Sequence, residues 1–267
     1  MLKISSHRRV LFLIPEIKYF PVCMAGDSTP LVVKEEGLTY ASIFPINPFY
    51  DQGDDVHVVI PDYRKLIEEN HDPGINRIFE AIKRRVPVDR IHLAKDRSFF
   101  YIDPVSSRNE LDNVKISLAF QREVINNIEP AVQPDLIHCH GWMTGLIPAV
   151  ARQMGIPCLF TLNSLQNARA TIAYIEDQGI DAAFFWQDLY YDRMPLDYRE
   201  TRESNTVDFL LSGIFSASNV IAENLEVLME IERSLNDYPK TPMRQLIKNK
   251  CERGSMFCFN NRTALSH

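Results

Sequence analysis

The feature that most restricts the fold of this chain is a series of short apolar runs that do not alternate. Val10-Leu-Phe-Leu-Ile14, Val56-His-Val-Val-Ile60, Cys158-Leu-Phe-Thr-Leu162 and Asn219-Val-Ile-Ala222 belong to it, as does the stretch opening at Leu136-Ile137. A strand with one wet face alternates apolar and polar residues, whereas a continuous run fits a strand buried on both faces of a parallel sheet. Parallel neighbours need a crossover, usually a helix. The spacers supply helical patterns: residues 111–128 carry apolar side chains at 111, 114, 118, 124, 125 and 128, and residues 223–235 are amphipathic. Strands alternating with helices predict an α/β domain with a doubly wound, mostly parallel sheet.

Local signals complete the expected outline. Pro45 and Pro48 would cut short a helix over residues 31–43, and Asp72-Pro-Gly74 splits residues 63–85 into two helical pieces. Residues 90–94 and 99–102 read as two strands around Lys95-Asp96-Arg97. Pro130 and Pro134 should close the 111–128 helix. The aromatic stretch 177–198 reads as short helices and loop over the sheet edge, and 205–218 as one helix with Asn205 as N-cap. Beyond Pro239 the pattern decays, and residues 254–267 have no period.

Composition narrows the function. With 35 acidic against 29 basic residues the net charge is −6, which disfavours nucleic acid as a partner. Five cysteines, without a C-x-x-C pair or metal-ligand spacing, suit free thiols in a reducing compartment. The five apolar residues before Pro15 are too few for a signal segment, and no apolar run approaches the ~20 residues of a membrane span. A cytoplasmic chain with no membrane and no metal is expected.

The candidate site is Asp135-Leu-Ile-His-Cys-His-Gly-Trp-Met-Thr-Gly145, which reads as a strand, a sharp turn and a departing helix. In open α/β sheets ligands sit beyond strand ends of this kind. Alternation puts His138 and His140 on one strand face and Cys139 on the other. Two histidines on one face need a third ligand before they hold a metal. They either pack at the strand end or line a cleft. Trp142 either stacks on a sugar ring or packs the helix start. Asn163, followed by Ser164, ends the next strand in a loop suited to a ligand. Cys139 has no base on its face and reads as core. Asp188, Asp192 and Asp197 are carboxylates linked to the aromatic stretch only by nearness in sequence.

Taken in order, several segments resemble the N-terminal half of bacterial glycogen and plant starch synthases. They are Val10-Leu-Phe-Leu-Ile-Pro-Glu16, Asp55-Val-His-Val-Val-Ile-Pro-Asp-Tyr63, Pro134-Asp-Leu-Ile-His-Cys-His-Gly-Trp-Met-Thr-Gly-Leu-Ile-Pro148, Pro157-Cys-Leu-Phe-Thr-Leu162 and Ala217-Ser-Asn-Val-Ile-Ala222. The likeness covers residues 8 to 235, and the His-x-His-x-Trp-x-x-Gly-Leu-x-Pro segment is its most specific part. It implies one Rossmann-like half of a two-domain GT-B glycosyltransferase. The implied reaction is retaining transfer of glucose from ADP-glucose to the non-reducing end of an α-1,4-glucan such as glycogen, with no cofactor beyond the nucleotide sugar. Residues 8–238 would form the acceptor-side domain. Residues 239–267 would be an irregular tail, truncated or frame-shifted, with the donor-binding domain absent and self-association through the bared edge expected. The resemblance assigns His140 and Asn163 to the catalytic set, Lys34 and Gly37 to the donor phosphates, and Trp142 and Gly141 to the sugar.

Three departures from the family pattern accompany the match. Its Lys-x-Gly-Gly-Leu loop aligns with Lys34-Glu-Glu-Gly-Leu38, so Glu36 puts a negative side chain where a diphosphate approaches backbone N–H groups, and Lys34 may equally be read as a solvated lysine. The family's Asp before the tryptophan is Gly141. Its His after the Phe-Thr-x strand is Asn163, which keeps a hydrogen bond but cannot titrate. Two readings follow: an acceptor-side synthase domain that is incomplete or inactive alone, and a non-catalytic α-glucan-binding or partner module derived from one.

Overall fold

The computed structural model of the chain describes residues 7–15, 49, 52–62, 86–96, 110–223, 225–237 and 242–258. The apolar runs become strands: β1 (Arg9–Leu13), β2 (Asp55–Pro61), β3 (Ile91–Ala94), β4 (Leu136–His140), β5 (Cys158–Leu162) and, after the separate antiparallel pair β6 (Arg169–Thr171) and β7 (Thr206–Asp208), β8 (Asn219–Ala222) and β9 (Met256–Cys258). Seven of them form one sheet in the order β3-β2-β1-β4-β5-β8-β9, with every pairing parallel. This is the doubly wound, Rossmann-like α/β arrangement that the apolar runs predict. Phe12, Leu13, Cys139 and Phe160 on the central strands are buried, as expected where both sheet faces are covered.

The helices include α1 (Glu110–Glu123), α2 (Glu129–Val132), α3 (Ile147–Gln153), α4 (Ile172–Asp177), α5 (Tyr198–Ser204), α6 (Phe209–Ser216), α7 (Leu225–Asp237) and α8 (Pro242–Glu252). The chain runs outward from β1 to β2 and β3, then returns to β4 on the other side of β1. The order therefore reverses between β1 and β4, where strand-end loops diverge and leave a crevice.

Several expectations about element ends are corrected. Pro130 does not close the first helix. A π-helical turn over Val124–Ile128 leads directly into α2, with Pro130 in its first turn, and Gln133 ends it in the left-handed region at φ 52°. In the wide turn the Glu129 N–H reaches back to the Val124 carbonyl, which lets the helix pass a residue that has no N–H. Nor is 205–218 one helix capped by Asn205. The β-branched Thr206-Val207 pair joins β7 to β6 in an antiparallel ladder, and α6 starts afterwards with the Asp208 carboxylate accepting from the Leu211 N–H at 2.8 Å. Asn205 instead ties its side-chain amide to the Arg193 carbonyl at 2.7 Å.

The stretch read as an irregular tail is ordered as far as Cys258: α8 buries Leu246 and Ile247, and β9 pairs with β8. Over residues 177–198 the structure has two 3-10 turns, Ala182–Phe184 and Trp186–Asp188, in line with short helices and loop. The helix expected within 31–43, the helical pieces of 63–85 and the second strand of the 90–102 pair lie outside the described residues. Among the described residues no helix is long and apolar enough to cross a membrane.

Candidate functional site

The crevice at the reversal point is lined by Pro15 past β1, His140, Gly141, Trp142 and Met143 past β4, and Asn163 and Ser164 past β5. Three neighbouring strands thus deliver their C-terminal ends to one place. Of the residues singled out in the sequence, His140, Gly141, Trp142 and Asn163 come together there. Lys34 and Gly37 lie outside the described residues. The crevice is narrow and leaves essentially no room for a water-sized sphere.

The histidines stand on one strand face, as alternation requires. Their rings stack at 4.5 Å, Phe12 of β1 packs against His138 at 4.9 Å, and the His138 Nε2 lies 2.9 Å from the Thr161 Oγ1 of β5. Both are almost wholly buried. Burial pushes the His140 pKa down to about 3, and burial together with the His140 ring holds His138 well below the ordinary imidazole value. Both are therefore neutral near pH 7, and a neutral imidazole donates or accepts a hydrogen bond without bringing a charge. Among the described residues no three His, Cys, Asp or Glu side chains converge as a metal site. Cys139, on the opposite face, sits 3.6 Å from the Cys158 sulfur, and burial raises its thiol pKa well above the usual value. That is a core thiol and a poor nucleophile.

Gly141 makes the turn. Its φ of 68° and ψ of 175° fall in a region open essentially to glycine alone, and its N–H donates to the Thr161 carbonyl at 2.9 Å. A Cβ there would lie 2.8 Å from the Asn163 Oδ1. The two departures from the family pattern thus touch: the Asn163 amide fills the space a side chain at 141 would need. Replacing Gly141 with the aspartate that the resemblance implies is expected to cost about 1–3 kcal/mol, read as a lower urea midpoint. A midpoint equal to that of the unaltered chain would show that the turn follows another path.

Trp142 opens a 3-10 turn, Trp142–Thr144, and is 6 % exposed. It both packs the helix start and lines the crevice, and its indole N–H has no hydrogen-bond partner among the described residues. Buried indole N–H groups ordinarily find one.

The residues that hold this turn escaped the sequence reading. The buried Gln121 of α1 accepts the Leu146 N–H at 2.8 Å and donates to the Ser117 Oγ at 2.9 Å, which donates to the Met143 carbonyl at 3.1 Å. A polar pair four residues apart thus satisfies backbone groups on both sides of Gly145. The available signal was that Ser117 and Gln121 occupy i+3 and i+7 positions on the apolar stripe that starts at Val114. Gln121→Leu, similar in size, is expected to destabilise the chain by about 2 kcal/mol, because it strands the buried Leu146 N–H and takes the donor from the Ser117 oxygen. Urea unfolding measures this, and a loss below about 0.5 kcal/mol would show that the turn does not need the amide.

A doubly wound parallel sheet with a strand-end crevice at its reversal point defines a Rossmann-like α/β domain. The family model for the starch synthase catalytic domain matches residues 49–236, more than half of the chain. This chain belongs to that family. It is 27 % identical over 157 residues to a glycogen synthase of Fusobacterium nucleatum, covering 52 % of this chain and 34 % of that protein. A glycogen synthase of Exiguobacterium sibiricum is 28 % identical over 169 residues (53 % of this chain and 34 % of that one). A third, of Geotalea uraniireducens, is 22 % identical over 203 residues, or 65 % and 41 %. The chain thus spans about a third to two-fifths of the length of these relatives.

Proposed function

We propose that this chain is the acceptor-side domain of a glycogen/starch synthase-type glucosyltransferase, spanning residues 8–238 with α8 and β9 extending its sheet. The observation that carries this reading is the meeting of His140, Gly141, Trp142 and Asn163 at the strand-order reversal in a chain of the starch synthase family. In the complete enzyme the reaction would be transfer of glucose from ADP-glucose to the non-reducing end of an α-1,4-glucan, in the cytoplasm. A donor-binding domain opposite the crevice would supply most of the stabilisation of the leaving diphosphate. The geometry suits hydrogen bonding and positioning: His140 is neutral and Asn163 offers an amide at the crevice. Lys34 and Gly37 would face the donor phosphates. Taken as an isolated domain, residues 8–238 are expected to transfer little or no glucose.

A second reading, a non-catalytic α-glucan-binding module, is favoured by one observation. Gly141 is fitted against Asn163, so the family's aspartate at 141 could not be restored alone without strain. Incorporation of radiolabelled glucose from ADP-glucose into glycogen, run beside a glycogen pull-down, separates the two. Incorporation by the purified chain would sink the non-catalytic reading. Retention on glycogen without turnover supports it, and failure of both would reject the glucan as a ligand of this domain.

A further inference from the structure

At the other end of the sheet lies a cavity of about 350 Å³, lined by residues that precede β5, β8 and β9 and by the ends of α3, α6 and α8. Arg152, Lys250 and Arg253 line it with the hydroxyl residues Ser216, Ser218 and Ser255, and no Asp or Glu is among its lining residues. That is an unusual local balance in a chain with more acidic than basic residues. Its volume falls in the range of small-molecule sites.

We propose that this cavity is an anion site for a small phosphorylated ligand, a phosphomonoester or diphosphate, separate from the strand-end crevice. Part of the charge already serves the fold. Arg152 lies 3.4 Å from the Asp188 carboxylate and over the Phe215 ring, and Lys250 donates to the Ala217 carbonyl at the end of α6. Basic side chains commonly serve helix C-termini in this way. That leaves a remainder. Arg253 has no acidic partner among the described residues, and one carbonyl occupies one of the three Lys250 donors. Ser218 accepts the Cys158 N–H at 3.1 Å, which leaves its own proton to donate. Burial first, and then crowding by Arg152 and Arg253, push the Lys250 pKa down to about 8. A phosphate oxygen within reach would relieve that crowding through charge-assisted hydrogen bonds.

Titration calorimetry of the purified chain with inorganic pyrophosphate, at ionic strength held constant with chloride, tests the site. Binding is expected. Lys250→Met with Arg253→Gln should weaken binding by about tenfold or more, and Asn163→Ala in the crevice should leave it unchanged. Arg253→Gln alone alters an exposed side chain and serves if the double variant does not fold; it should weaken binding several-fold. The proposal is overturned by no binding at about 10 mM pyrophosphate. Affinity unmoved by the Arg253 change, or lost with the Asn163 change, overturns it equally. Because the crevice variant is tested separately, failure here leaves the glucosyltransfer reading standing.

Discussion

Gly145→Ala is expected to destabilise the chain by about 3 kcal/mol or more, enough to leave much of a marginally stable domain unfolded. Gly145 sits where the turn after β4 meets the first residue of α6. A methyl group there would overlap the backbone carbonyl of Phe209 and press on the Trp142 carbonyl. Neither obstacle is the end of a flexible side chain, so relief requires moving α6 or the crevice turn as a body. The glycine of the Trp-x-x-Gly-Leu segment therefore acts through packing, since its own backbone is ordinary right-handed at φ −65°. Urea unfolding followed by far-UV circular dichroism measures the loss. A shift under about 1 kcal/mol would mean that α6 does not press on the turn.

The second large effect is acid sensitivity. His140 has its pKa lowered to about 3 in the folded chain, and His138 is lowered in the same direction, whereas both should titrate near 6.5 when unfolded. Above that pH neither state holds the extra proton, and the histidines cost nothing. Below it the unfolded chain takes up protons that the folded chain refuses, so His140 makes stability fall with pH by about 1.4 kcal/mol per unit. From pH 7 to pH 5 His140 alone should remove about 2 kcal/mol, and His138 adds in the same direction. His57 and His92, hydrogen-bonded to each other at 2.8 Å and also lowered mainly by burial, add in the same direction. Urea midpoints at successive pH values read the slope. His140→Gln should flatten it by about 1.4 kcal/mol per unit below pH 6, whatever it does to stability at pH 7. An unchanged slope would show that the ring reaches solvent.

Strand existence was legible because burial on both faces writes itself into the chain as a local apolar run. Val10 to Ile14 and Cys158 to Leu162 needed nothing else. The turn at Gly141 was legible as a strand end followed by glycine. Boundaries decided by long-range partners were not. Thr206 and Val207 look like the start of a helix until β6 offers them a ladder, and Pro130 looks like a stop until a wide turn absorbs its missing N–H. Leu246, Ile247 and Met256 lie in a stretch with too weak a period to mark it as part of the sheet, yet β8 had a free edge for it to fill.

The amino-acid sequence by itself determined the strand–helix alternation, the parallel sheet and the strand-end turn at Gly141, because each depends on residues within a few positions of one another. Only the tertiary structure decided that Asn163 fills the space beside Gly141, that Ser117 and Gln121 fasten the crevice turn, and that three cations from α3, α8 and the turn after α8 share one cavity. Those contacts join residues roughly 20 to 100 positions apart, and periodicity carries no record of distances set by packing across a sheet.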